Sequence, residues 1–412
     1  MLNNTNLINN KLKDFAINIT ASVLLIGMTQ LVVYPLLGRW LSTAEYGTML
    51  TLIGIMNAVG SSFGGALNNA KILLASQYDK EHLSGDSNIF AVFSSIACFI
   101  FAFCLSSIIQ HKIEPNNALI GIVSMLVFFR AFYSAAFRIK INYKRVLISN
   151  LFGVLGYAVG ILLVYYSSCW ILAFLCGELF PCIYVSNKSF ILREPFKTTS
   201  LLKQLSTRFG FYFVSNGLTY IITYMDRFFL FPILGSTAVS TYTTASLLGK
   251  MAGIALTPIT GVLLSYYCKE GNITKKQLGR RLLVFSFISL LVYSIIVAFG
   301  YPILVLLYPT LAPLAKPYFY VANLGSIILL LGDSILPTVL RYAKPQWAAI
   351  VQATFAIFYI LIGIGGMMWN GLFGYCIAVL AVNILRLLML VAVSFYSIAK
   401  GNMTEMGCTE ID

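Results

Sequence analysis

The chain has 412 residues, of which 59% are hydrophobic and only 10% charged, with a mean hydropathy of +0.84. A soluble domain carries about 25% charged residues, so this composition excludes a soluble globular protein, which could not cover its surface; lipid-facing residues can be as apolar as a core. The net charge of +14 does not mark a nucleic-acid binder, because the basic residues fall in short clusters between apolar stretches rather than on one face or in one tail.

A bilayer crossing needs roughly 20 mostly apolar residues. Twelve such spans are predicted, at 15–38, 47–74, 88–110, 117–137, 146–167, 169–190, 208–234, 240–267, 281–308, 317–340, 346–368 and 371–398. The first follows an Asn-rich N-terminus carrying Lys11 and Lys13 and is too long for a signal-peptide core, so it stays in the membrane. The fifth and sixth have almost no polar loop between them, and the last two turn at Trp369, Asn370 and Gly371.

Loop charge sets the orientation. The N-terminus, the connections 75–87, 138–145, 191–207, 268–280 and 341–345, and the C-terminus hold, with flanking residues, 21 of the 28 basic residues. The opposite set holds three: Arg39, Lys112 and Lys316. Both termini are therefore expected in the cytoplasm, which requires an even number of spans. The longest polar connection, 191–207, lies at mid-chain and divides an all-α polytopic membrane protein into halves 1–200 and 201–412, six spans each.

The halves carry a short echo. Span one ends Tyr34-Pro35-Leu36-Leu37-Gly38, then Arg39-Trp40-Leu41 and Ser42-Thr43-Ala44; span seven ends Phe231-Pro232-Ile233-Leu234-Gly235 and runs directly into Ser236-Thr237-Ala238. With six spans per half, a repeat axis would lie along the membrane normal. A chance likeness of two apolar-Pro-Gly helix ends is the alternative.

Charges within spans are costly and mark function or pairing. They are Arg130 in span four, Glu178 in span six, Asp226 and Arg227 in span seven, Lys250 in span eight, Asp333 in span ten and Arg386 in span twelve. The surplus of Arg130, Arg227, Lys250 and Arg386 argues for an anionic ligand such as phosphate or pyrophosphate, with Arg227 the first choice. Structural ion pairing, Asp226 with Lys250 and Asp333 with Arg386, is the competing explanation. Asp226 and Asp333 would alternatively couple transport to a proton or Na⁺ gradient. Asn216, Tyr220 and Tyr224 lie deep in span seven and suit sugar hydroxyls and rings, or helix-packing hydrogen bonds. Tyr34, Tyr46, Tyr301, Tyr308, Tyr318 and Tyr320 sit at span ends, where an interfacial belt accounts for them. Gly60/Gly64 and Gly156/Gly160 read as close helix packing, and Pro181, Pro232, Pro258, Pro302 and Pro337 as kinks or hinges.

Enzyme chemistry finds little support. The eight cysteines form no CxxC pair and read as small hydrophobes. His82 and His111 are far apart, so neither a zinc site nor a His-based triad is expected, and no cofactor. No GxxxxGK[ST] loop or TVGYG filter is present, which excludes an intrinsic P-loop ATPase and weighs against a potassium channel.

The stretch Leu37-Gly38-Arg39-Trp40-Leu41-Ser42-Thr43-Ala44-Glu45-Tyr46-Gly47, and Asp226-Arg227 followed by Leu234-Gly235 and Tyr242, resemble the polysaccharide flippases (Wzx type) of the multidrug/oligosaccharidyl-lipid/polysaccharide exporter superfamily. Length, span number and cytoplasmic termini fit over the whole chain. The resemblance implies two six-helix bundles around a central cavity in a bacterial inner membrane, without cofactor or catalysis. It implies transfer of an undecaprenyl-pyrophosphate-linked oligosaccharide, an O-antigen or similar repeat unit of lipopolysaccharide biosynthesis, from the cytoplasmic to the periplasmic leaflet. A polysaccharide polymerase and chain-length machinery would be its partners, beside the bilayer. Two alternatives stand: a multidrug/cation antiporter of the same superfamily, which the cation surplus disfavours, and a membrane-embedded glycosyltransferase or polymerase, for which a long outer loop and a placed His are lacking.

Overall fold

The computed structural model describes residue 20 and residues 23–140, 142–254, 256, 267 and 273–399. Lys11 and Lys13, the start of span one, the second half of span eight with Pro258, Cys268, and the C-terminal tail with Cys408 lie outside the described residues.

Nine helical segments among the described residues are long and apolar enough to cross a bilayer. They are α1 (Val23–Trp40), α2 (Thr43–Lys80), α3 (Asp86–Gln110), α4 (Pro115–Ile139), α5 (Tyr143–Ser167), α6 (Ile171–Lys188) and, later in the chain, Lys275–Leu307, Ala312–Tyr342 and Gln346–Ala399. The last holds two crossings. At 1.5 Å per residue it would run about 80 Å, more than twice the hydrocarbon core. It doubles back at Asn370 (φ −147°, ψ 41°) and Gly371 (φ 52°, ψ −134°), a conformation glycine adopts without steric cost.

Predicted spans seven and eight are the more polar crossings. Span seven is α7 (Leu202–Thr223), a break at Tyr224, then α8 (Met225–Leu234). Span eight begins with α9 (Ser236–Ala245) and a helical stretch at 247–254. The three remaining helices are α10 (Lys275–Leu307), α11 (Ala312–Tyr342) and α12 (Pro345–Ala399), the last in two arms. The chain is an all-α polytopic membrane protein, and among the described residues its helices follow the predicted spans.

Local chemistry explains the irregularities. A five-residue π turn, Thr29–Val33, precedes Tyr34-Pro35 in α1, and another, Ile296–Gly300, precedes Tyr301-Pro302 in α10. Proline offers no N–H to the carbonyl four residues back, and the helix widens for one turn. The near-loopless join of α5 and α6 is a left-handed Ser168 (φ 58°), whose N–H returns to Val164 O at 2.8 Å.

The chain forms two compact units: residues 1–40 with 48–228, and 41–47 with 229–412. In the first, α3 packs on α4, α4 on α6 and α5 on α6. Phe63, Leu67, Leu74, Phe128 and Phe132 build its core, and Leu201 and Leu205 are buried in the same cluster, so the start of α7 belongs with it. The GxxxG pairs are contact points here: a Cβ on Gly64 would lie 2.7 Å from Phe128 O, and one on Gly156 2.3 Å from Cys176 O. In the second, α11 and α12 pack over Leu331, Ile335, Val339, Val351 and Leu390, with α9 and α10 against α11.

Candidate functional site

In the first unit, Arg130 of α4 meets Glu178 of α6 in a two-point bond, Nε to Oε2 at 2.5 Å and Nη2 to Oε1 at 3.0 Å. Glu178 is buried. A fork-on-carboxylate geometry in an apolar setting satisfies both charges. Arg227, also buried, is held differently. Its Nη1 donates to Leu50 O of α2 at 2.9 Å, its side chain hydrogen-bonds Tyr34 of α1, and its guanidinium lies 5.2 Å from the ring centre of Tyr224. Asp226 turns back on the chain and accepts from the Arg227 N–H at 2.9 Å. The Asp-Arg pair thus stands at the break between α7 and α8.

Of the three proposed glycan contacts, Asn216 and Tyr220 lie in α7 and Tyr224 at the break that ends it. Asn216 lies against Gly65 of α2, where a Cβ would approach its Nδ2 to 3.0 Å. Tyr220 is half-buried one turn on, and Tyr224 packs beneath Arg227 and beside Phe228, 6.3 Å between ring centroids.

In the second unit, Lys250 Nζ sits 5.0 Å over the Tyr242 ring. Tyr242 meets Tyr375 edge-on at 5.0 Å, and the Tyr375 and Tyr359 hydroxyls are 2.7 Å apart. Nothing in the sequence pattern singled out Tyr359 or Tyr375; they come from the two arms of α12. Next to them, Asn323 of α11 accepts from Gly249 N–H at 2.7 Å and donates to Ala245 O at 2.7 Å, fixing α11 to the helix that carries Lys250.

Asp333 and Arg386 form the pair that sequence spacing offered as an alternative. Arg386 Nη2 donates to Asp333 Oδ1 at 2.8 Å. Only 6% of the arginine side chain is exposed, against 47% of the aspartate. Among the described residues, Arg386 Nε and Nη1 are buried with no acceptor, and one turn away Asn383 Oδ1 is buried with no donor. Leaving such groups unmatched costs about 1–3 kcal/mol each, so this spot is suited to a polar ligand.

Two sequence readings change on contact with the structure. The 191–207 connection, read only as a polar joint, is pinned to the first unit. Lys71 Nζ, counted with the loop charges, is buried and bonds Glu194 Oε2 at 2.9 Å. Ser87 donates to the same oxygen at 3.0 Å, Asn88 Nδ2 donates to Ile191 O and Glu194 O, and Asp86 takes both the N–H and the hydroxyl of Thr199. The signal was a polar Asp-Ser-Asn run opening α3; buried, it serves as the anchor.

The tyrosine belt is the other. Tyr34, Tyr46 and Tyr308 are buried, and the Tyr46 and Tyr308 hydroxyls are 3.3 Å apart in the second unit. Tyr320 is exposed as a belt requires. Beside Tyr46, Ser42-Thr43-Ala44-Glu45 is a capping box. Ser42 N–H and hydroxyl donate to Glu45 Oε2 at 3.0 and 2.7 Å, while Glu45 N–H returns to Ser42 Oγ at 3.3 Å. Gly47 then packs on the start of α9, where a Cβ would fall 1.8 Å from Ser236 O.

Among the described residues no group of three His, Cys, Asp or Glu could hold a metal ion. Cys98, Cys104, Cys169, Cys176, Cys182 and Cys376 are free thiols.

No protein-family model and no curated protein sequence matches the chain. Solved structures do. The lipid II flippase MurJ in an inward closed conformation aligns with a TM-score of 0.70 at 13% identity, covering 92% of this chain and 86% of that one. An inward-facing multidrug resistance MATE family transporter of the MOP superfamily aligns at 0.61 and 13%, covering 93% and 98%. The Vibrio cholerae MATE transporter VcmN in its bent form aligns at 0.54 and 15%, covering 98% and 99%. At these identities the likeness establishes a shared fold.

Proposed function

We propose that this protein is a flippase. It moves an undecaprenyl-pyrophosphate-linked oligosaccharide, such as an O-antigen repeat unit, from the cytoplasmic to the periplasmic leaflet of a bacterial inner membrane by alternating access. Both termini are cytoplasmic in this reading, as the loop charges require, and a polysaccharide polymerase with its chain-length machinery takes the product.

The observation that carries the reading is the state of Arg386. A buried guanidinium has one donor on a half-exposed carboxylate and two donors, Nε and Nη1, with no acceptor among the described residues. An anionic oxygen is the natural partner for such a fork. A pyrophosphate would take the free donors and release Asp333, which is then able to carry a proton or Na⁺. Arg227 and Lys250 are the next candidate phosphate contacts, and Asn216, Tyr220 and Tyr224 the glycan contacts. Arg130 is the weakest of the four cations for this role, since its Nε–Nη2 edge is already committed to Glu178.

A cation antiporter shares the fold and is the competing reading. Its substrate would need an acidic site, whereas Glu178 and Asp333 each face an arginine.

The test is complementation of a strain lacking the gene. Arg386→Ala should abolish surface glycan and accumulate the lipid-linked oligosaccharide on the cytoplasmic face, with Arg386→Lys retaining part of the export. Full glycan export by Arg386→Ala, or resistance to cationic drugs conferred by the wild type without any effect on glycan, would overturn the assignment.

A further inference from the structure

The foot of α7 joins basic residues to an exposed apolar stripe. Lys203, Thr207, Phe211, Val214, Leu218 and Ile221 are all exposed, and at 100° per residue they lie within about 80° of one another on the helix. The stripe changes character along its length. Its first two turns are polar and basic, where Lys203, Gln204, Thr207 and Arg208 line a shallow recess. From Phe211 onward it is apolar for ten residues, or about 15 Å, half the hydrocarbon thickness of a bilayer. At Met225, Asp226 and Arg227 the chain becomes buried again.

The basic foot has no internal partner. Neither Lys203 nor Arg208 makes an ion pair among the described residues, whereas Lys71, Arg130 and Arg386 do. The Thr207 hydroxyl already donates to Lys203 O at 2.9 Å, which leaves the ammonium, the guanidinium and the Gln204 amide facing outward. Loop charge places this end of α7 at the cytoplasmic surface. Two unpaired cations there, above an apolar stripe one leaflet long, match a single molecule with an anionic head and an acyl tail.

We propose that this face of α7 is a binding site for one anionic phospholipid of the cytoplasmic leaflet, its phosphate held by Lys203 and Arg208 and its tail lying along Phe211, Val214, Leu218 and Ile221. A zwitterionic lipid brings its own cation to the recess and gains less from the two basic residues. The site is separate from the buried charges assigned to transport and does not depend on what is transported.

The full chain in detergent, titrated with phosphatidylglycerol or phosphatidylcholine and read by native mass spectrometry, tests this. One phosphatidylglycerol should be retained in preference to phosphatidylcholine. The Lys203→Ala/Arg208→Ala protein should lose about tenfold in that affinity with an unchanged melting temperature. The Lys275→Ala/Lys276→Ala protein, which removes the same charge from the start of α10, should bind as the wild type does. Equal retention of the two lipids, an equal loss in the Lys275/Lys276 variant, or retention of a polyprenyl pyrophosphate but no phosphatidylglycerol would each overturn the proposal.

Discussion

The 2.8 Å bond from Arg386 Nη2 to Asp333 Oδ1 joins a buried cation to an anion nearly half in the open. The two ends therefore respond differently to loss of the partner. Without Asp333 the guanidinium is left charged in an apolar setting; without Arg386 the carboxylate still reaches a polar environment. Discounting for the exposure of Asp333, the Asp333→Ala protein should lose about 1–2 kcal/mol of stability and the Arg386→Ala protein less, measured by thermal unfolding in detergent. Under the proposed flippase function, Arg386→Ala should nevertheless be the more damaging to export.

Arg130 and Glu178 give a test of structural against transport roles. If the pair only holds α4 to α6, Arg130→Ala should cost about 3 kcal/mol by stranding the buried Glu178. The Arg130→Met/Glu178→Met protein should recover both fold and export. A well-folded double variant that still fails to export glycan would return Arg130 to the transport machinery.

Lys71 and Glu194 tie the mid-chain connection to the first unit, with side-chain exposures of 3% and 12%. Glu194→Ala should lower stability by about 3 kcal/mol, because Lys71 is then buried uncompensated. It should also speed proteolysis of the 191–201 segment. Lys71→Met added to Glu194→Leu should restore much of the stability in a double-mutant cycle.

Gly47 and Gly210 make a matched pair. A Cβ at Gly47 overlaps the backbone of Ser236, whereas one at Gly210 meets nothing within 4 Å. Gly47→Ala should therefore cost about 1–3 kcal/mol or more and reduce the folded protein in the membrane. Gly210→Ala, in the exposed first half of α7, should be stabilising by about 0.5–1 kcal/mol.

Much of the fold was legible because the bilayer restricts the solutions. Length and hydropathy located the helices, and the last join was read from residues that form it, Asn370-Gly371, whereas the join of spans five and six was legible only as a near-absent loop. The echo at the ends of spans one and seven is legible in composition but diverges in shape. Gly38 lies inside α1, which continues to Trp40, while Gly235 has φ 83° and ends α8 outright. Of the three extra residues in the first copy, Arg39 and Trp40 extend the helix and Leu41 bends out of it, after which the capping box at Ser42 starts α2.

The candidate site was legible only as an inventory. Hydropathy flags a charge in a span because its desolvation is unfavourable wherever the helix lies, so Arg130, Glu178, Asp226, Arg227, Lys250, Asp333 and Arg386 were all found from the sequence. Which of them face a partner depends on helix rotation and register, and those are decided by packing between helices distant in the chain. The sequence by itself determined that this is an all-helical membrane chain and which charges its spans must carry, because transfer into lipid is a residue-by-residue cost. Only the tertiary structure decided that Arg130 is matched by Glu178, that Arg386 keeps two donors unfilled beside Asp333, and that a connecting loop is anchored by Lys71 and Asn88, because hydrogen bonds need positions within a few tenths of an ångström that no linear pattern specifies.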